Sequence, residues 1–161
     1  MDHLQRLASS KIVTILLYLL LTIYLLLMCY LLFFGYYRQG IRVEDYNLTP
    51  FETINMYIVY MDYFSFHIWF INLFGNIIAF MPLGFLLPLL SDRWKGAIRI
   101  TILSFFVSLS AETIQLTFHV GRFDVDDMIL NTIGGLLGYI MLQILQAFAS
   151  VMLMQNSKIP K

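Results

Sequence analysis

Four long apolar runs divide the chain, and the polar residues between them gather at every second junction. The first run, residues 12–34, is interrupted only by Thr14 and Thr22 among apolar and aromatic side chains. At ~1.5 Å per residue it reaches ~34 Å, enough to span a bilayer. It is too long for a typical signal-peptide core and lacks a small-residue cleavage pattern, so it reads as an uncleaved helix. Phe33 to Tyr37 fit an aromatic belt at its water-facing end. The second run, 66–90, carries Asn72 and Asn76 four residues apart, on one helical face. Pro82 withholds an N–H from it and predicts a kink that frees the Ile78 carbonyl. The third and fourth runs, 97–119 and 125–153, predict two more spanning helices, with Gly121 as the left-handed residue that ends the third.

Between the first two runs lies the longest connection, 35–64. Arg38, Arg42, Glu44, Asp45 and Asn47 mark it as wet. Thr49-Pro50-Phe51-Glu52 predicts a helix start, with Thr49 as N-cap, Pro50 in the first helical position and Glu52 completing a capping box. The aromatic residues 53–64 are too few to span, which predicts a short helix lying in the interface or re-entering it. The expected architecture is therefore all-α: a multi-pass bundle of four transmembrane helices plus one short interfacial or re-entrant helix, in a single membrane domain over 1–161.

Composition supports that reading. Sixty per cent of residues are apolar and 12% are charged, and the mean hydropathy is +0.77. A soluble chain of this length has too little interior to hide so much apolar surface. The formal net charge is zero, and no basic run or aromatic-basic interleaving points to nucleic acid. Cys29 is the single cysteine, which excludes an intrachain disulfide and a cysteine-based metal site. Lys and Arg fall seven against three on the two sides of a four-span arrangement, Arg6, Lys11, Arg93, Lys95, Arg99, Lys158 and Lys161 against Arg38, Arg42 and Arg122. The positive-inside bias then puts both termini in the cytoplasm and the 112–131 stretch outside.

That stretch holds the candidate chemistry: Glu112, Gln115, His119, Arg122, Asp124, Asp126, Asp127 and Asn131. Ser108, Glu112, Gln115 and His119 follow one helical stripe, and Asp127, Asn131 and Gly135 follow another. Helical rise puts Glu112, Asn131 and Asn72 roughly 9–11 Å below the outer ends of their helices, with Asn76, Ser108 and Gly135 a turn deeper. A carboxylate at Glu112 must be protonated, paired or hydrated at that depth. Arg122, His119, Asn72 and Asn131 are its expected partners, with Gly75 and Gly134-x-x-x-Gly138 allowing close helix approach. Asp124 also suits a helix N-cap, with acids in the positive first turn. Besides a proton or ion path with Glu112 as carrier, two chemistries fit the set Asn72, Asn76, Glu112, Gln115, Arg122, Asp124, Asp126, Asp127 and Asn131. One is an outward site for an amphipathic envelope ligand. The other is a divalent cation, Mg²⁺ or Ca²⁺, on the acids of a metal-dependent enzyme acting on an envelope lipid or lipid-linked precursor. No nucleophile elbow or P-loop accompanies them.

Asn47-Leu-Thr-Pro-Phe51, Asn72-Leu-Phe-Gly-Asn76, Phe80-Met-Pro-Leu-Gly-Phe85, Ser110-Ala-Glu112-Thr-Ile-Gln115, Gly121-Arg-Phe-Asp-Val-Asp-Asp127 and Asn131-Thr-Ile-Gly-Gly135 together resemble the VanZ-like family of bacterial membrane proteins over about residues 36–140. The resemblance implies a small multi-pass protein of the bacterial cell membrane. A member of that family is associated with low-level resistance to teicoplanin, a lipid-tailed glycopeptide, so a glycopeptide joins the bilayer and an envelope ligand among the implied partners. The resemblance brings no catalytic residues with it.

Overall fold

The structure is a computed structural model, and it describes residues 11–34 and 46–156. The terminal segments, the aromatic residues after Phe34 and the charged stretch from Arg38 to Asp45 lie outside the described residues. Among the described residues six α-helices follow in order: α1 (Lys11–Phe34), α2 (Glu52–Val59), α3 (Phe66–Phe70), α4 (Asn76–Leu90), α5 (Ala97–Thr117) and α6 (Val125–Asn156). A π-helical turn, Ile71–Gly75, joins α3 to α4 into one continuous rod, and short 3₁₀ turns occupy Met61–Tyr63 and Asp92–Trp94. Four of these units are long and apolar enough to cross a membrane: α1, the α3–α4 rod, α5 and α6. The protein is an all-α membrane bundle, with α2 as the short extra helix.

Small residues set the packing. Gly134 and Gly138 of α6 lie against the carbonyls of Ile77 and Met81 in α4, and Gly84 of α4 lies against the carbonyl of Gly135. A methyl group at any of these positions would occupy the space of a backbone carbonyl. Backbones approach this closely in a bilayer because lipid gives helices no hydrophobic drive to associate, leaving dispersion to hold them. Gly75 plays no such part. A Cβ there would meet only Ile71 of its own rod at an ordinary 3.5 Å.

The rod's clearest irregularity lies not at Pro82 but one helical stretch earlier. Both Pro82 and Pro88 are carried inside α4, while the π turn sits at Ile71–Gly75. A π turn adds residues per turn, so positions four apart no longer stack. Asn72 and Asn76 therefore part company. Asn72 Nδ2 donates to the Ile68 carbonyl of its own rod at 2.7 Å, and Asn76 reaches α6.

α1 is tied to the bundle by two polar contacts around a small apolar core of Met28, Leu32, Phe80, Leu83 and Ala111. Tyr24 donates its hydroxyl to the Ala79 carbonyl at 2.8 Å. Gln115 Nε2 donates to the Leu32 carbonyl at 2.8 Å. Cys29 is exposed on the outer surface of α1.

α5 ends before the expected residue 119. Its last turn closes as a Schellman motif: Val120 N–H donates to the Gln115 carbonyl (3.0 Å) and His119 N–H to the Leu116 carbonyl (3.3 Å). The left-handed residue is His119 (φ 57), not Gly121. His119 is exposed there, off the buried face it would share with Glu112 on a longer helix.

The close α4–α6 contact yields a direct expectation. Gly138→Val places a branched side chain on the Met81 carbonyl and should destabilise the bundle by at least ~2 kcal/mol. Thermal unfolding in detergent should show a clearly lower midpoint for Gly138→Val and little change for Gly75→Ala.

Candidate functional site

The outward site expected from the sequence is a buried clasp at the end of the bundle where α5 stops and α6 begins. Asp124 is the N-cap of α6: its Oδ1 accepts from the Asp126 N–H at 2.9 Å, and its own carbonyl accepts from Met128 N–H at 3.3 Å. It does far more than cap. Asn47 Nδ2 donates to Oδ1 at 3.0 Å, and Thr53 Oγ1 donates to Oδ2 at 2.8 Å. Arg122 Nη2 pairs with Oδ2 at 2.7 Å. Four donors thus fill the four lone-pair sites of one carboxylate, and Asp124 is only 3% exposed. Asn47 adds a backbone stitch. Its N–H donates to the Phe123 carbonyl at 2.8 Å, and its carbonyl accepts from Val125 N–H at 3.1 Å. This is an isolated parallel bridge between residues 47 and 124.

Asp126, fully buried, caps a helix that is not its own. One carboxylate oxygen accepts from Phe51 N–H and the other from Ile54 N–H. Those are the N-cap and third-position amides of α2, the two donors that a capping box satisfies with local side chains. The expected box at Thr49 and Glu52 does not form. α2 starts at Glu52, with Phe51 as its N-cap in the left-handed region (φ 68). Thr49 is in a turn closed by its N–H donating to Asn47 Oδ1 at 3.0 Å. The remote carboxylate offsets the cost of a left-handed aromatic residue, on the order of 1–2 kcal/mol.

Glu112 lies beneath this clasp at 1% exposure. Its Oε2 accepts from the Asp124 N–H at 3.0 Å, so it fixes the backbone that holds the main acid. Arg122 goes to Asp124, and Asn131 Nδ2 goes to Ser108 Oγ at 2.8 Å. Asp127 accepts from Asn76 Nδ2 at 2.6 Å, a polar link from the α3–α4 rod to α6. Gln115 is fully buried but reaches toward α1.

The nine expected residues thus divide. Glu112, Arg122, Asp124 and Asp126 form one connected cluster. Asn76 with Asp127, and Asn131 with Ser108, form two side links, while Gln115 serves α1 and Asn72 stays on its own rod. Two members of the cluster carried no site assignment in the sequence: Asn47, read as a wet-loop residue, and Thr53, read as part of an aromatic segment. Their signal was the Asn47-Leu-Thr-Pro-Phe51 motif, which is the segment that docks. The acids do not converge as divalent-cation ligands. Asp124 has no lone pair left, Asp126 faces two backbone amides, and no group of three or more His, Cys, Asp or Glu among the described residues is placed to hold a metal ion.

Fold and clasp define a small helical membrane protein whose loops at one end are closed over buried acids. The family model for VanZ/LLP1 matches residues 21–146, and the chain belongs to that family. Protein VanZ of Enterococcus faecium is 31% identical over 105 residues, which cover 65% of this chain and 53% of that protein. The chain therefore spans about half the length of that curated relative. No solved structure matches the chain.

Asp126 gives the sharpest test of the clasp. Asp126→Ala removes both acceptors for the α2 amides and should cost about 1–3 kcal/mol. Limited proteolysis should then cleave the 46–64 segment faster, while cleavage elsewhere is unchanged. Asp126→Asn, which keeps one acceptor oxygen, should fall between that variant and the wild type.

Proposed function

We propose that the protein lies in the bacterial cell membrane as one membrane domain, with both termini in the cytoplasm and the clasp facing outward. There it binds an amphipathic envelope ligand or a lipid-tailed glycopeptide and alters susceptibility to teicoplanin-type antibiotics. The observation that carries this reading is the surface around the clasp. Half-buried Arg122, Asn76 and Asp127 form a polar rim. The same end of the bundle carries exposed Phe51, Tyr60, Tyr63 and Phe66. A charged rim next to an apolar ledge offers a headgroup and a tail their separate environments. Membership of the VanZ/LLP1 family and the likeness to Protein VanZ support the link to glycopeptides. The buried members, Glu112, Asp124, Asp126, Gln115 and Asn131, hold the rim in shape, and Asn72 sets the rod beside it. The lysine and arginine bias supports the orientation.

The test is susceptibility to a lipid-tailed and a tail-less glycopeptide in cells expressing wild type, Asp127→Asn or Asn76→Ala at equal protein levels. Wild type should raise the inhibitory concentration of the tailed compound above that of the tail-less one. Each variant should lose most of that increase. Equal protection against both compounds, or variants that protect as well as wild type, would contradict the proposal.

A further inference from the structure

We propose that the far end of α6 pairs two copies of this chain through an apolar stripe of Leu137, Met141, Ile144, Phe148 and Val151. Helix levels show where α6 leaves its own bundle. α5 runs antiparallel to it: Glu112 meets Asp124, Ser108 meets Asn131, and Ser104 lies against Gly135. The start of α5 at Ala97 is therefore level with about residue 142 of α6. α4 runs parallel to it, with Ile77 beside Gly134 and Met81 beside Gly138. Its last residue, Leu90, is then level with about residue 147. Burial agrees. Leu142, 1% exposed, is the last buried residue of α6 among the described residues. The stretch 143–156 carries the helix onward for ~20 Å.

That overhang has two sides. Ile144, Leu145, Phe148, Val151 and Met152 fall within ~120° of the helix circumference, and each is more than 40% exposed. Gln143, Gln146 and Ser150 occupy the opposite arc. There Gln143 Nε2 donates to Gln146 Oε1 at 3.3 Å, and the Ser150 hydroxyl donates to the Ala147 carbonyl at 2.7 Å. Lipid on every side has no use for the glutamine arc, and water on every side has none for the apolar one. The pattern is that of a helix with water on one side and an apolar partner on the other.

The membrane surface does not fit that partner. To lie in it, the overhang must turn off the bundle axis, and helices kink at Pro, Gly or π turns. Residues 139–156 contain neither Pro nor Gly and are α-helical throughout. Nor does the polar arc carry the Lys and Arg that hold an interfacial helix on headgroups, since no residue from 139 to 156 is charged. The partner runs alongside α6, and the spacing of the stripe describes it. Its five residues lie four, three, four and three apart, the seam of a helix packed on a helix. A second copy supplies that helix. Copies of one chain insert with the same orientation, so their α6 helices are parallel. A two-fold axis between them puts each stripe residue level with its twin. Ile144, Phe148 and Val151 then form three apolar layers, flanked by Leu145 and Met152, and no like charges face each other. This seam lies at the end of the bundle away from the clasp and does not rest on the envelope-ligand reading.

Disulfide cross-linking of the full chain in isolated membranes tests the pairing. Cys29→Ser serves as background, so that only an introduced thiol can react. Val151→Cys places that thiol on the stripe, and Ser150→Cys places it on the polar arc. A disulfide needs Cβ atoms ~4 Å apart. With a copper–phenanthroline oxidant and equal protein levels, Val151→Cys should give several-fold more product at twice the chain mass than Ser150→Cys. Adding Phe148→Gln to Val151→Cys should remove most of that product. Phe148 lies outside the packed bundle, so the membrane level and helical spectrum should not change. No product from Val151→Cys, or equal product from both cysteines, would overturn the proposal. So would product that survives Phe148→Gln, or product whose mass shows a different protein as the partner.

Discussion

Two carboxylates, Asp124 and Asp126, are buried at the end of an apolar bundle, and the donors brought by residues 47–54 are what permit it. A carboxylate taken out of water without donors costs several kcal/mol at least, far more than any one helix contact returns. Asn47, Thr53 and Arg122 satisfy Asp124, and the amides of Phe51 and Ile54 satisfy Asp126. The dependence runs both ways. Without Asp126, α2 has no side chain on its first amides. Without Asp124, the bridge at Asn47 loses its anchor. Segments 77 residues apart in sequence are thereby joined at one point.

The rest of the bundle keeps that point in place. Glu112 supports it from below through the Asp124 amide, and Asn76 reaches it from the side through Asp127. Asn76 is aimed there by the π turn that separates it from Asn72. The glycine contacts of α4 with α6 bring the rod near enough for that hydrogen bond. A loop carrying polar residues can be buried against a helical bundle only where protein groups satisfy it, and here they do.

Much of this was legible before any coordinates. The four spans follow from hydropathy and length, because backbone satisfaction in lipid leaves helices few alternatives. The buried stripe Ser108, Glu112 and Gln115 follows from helical period alone. Asp124 as a cap follows from its place before an apolar run. What was not legible depends on tertiary partners. A local capping box at Thr49 was outcompeted by a carboxylate from another helix. Asn72 and Asn76 were separated by a π turn that no residue pattern announces. His119 instead of Gly121 took the left-handed position because the Schellman closure came two residues early. Asn47 read as a solvent residue because its acceptor lies beyond two intervening spans.

The central claim is that the clasp is a closed, buried unit rather than a surface loop, and amide hydrogen exchange of the wild-type protein in detergent tests it most directly. The N–H groups of Phe51, Ile54, Asp124 and Asp126 should exchange as slowly as amides in the middle of α6, because all four donate to carboxylates in the interior. Exchange of those amides at the rate of exposed loop residues, with α6 still protected, would contradict the account.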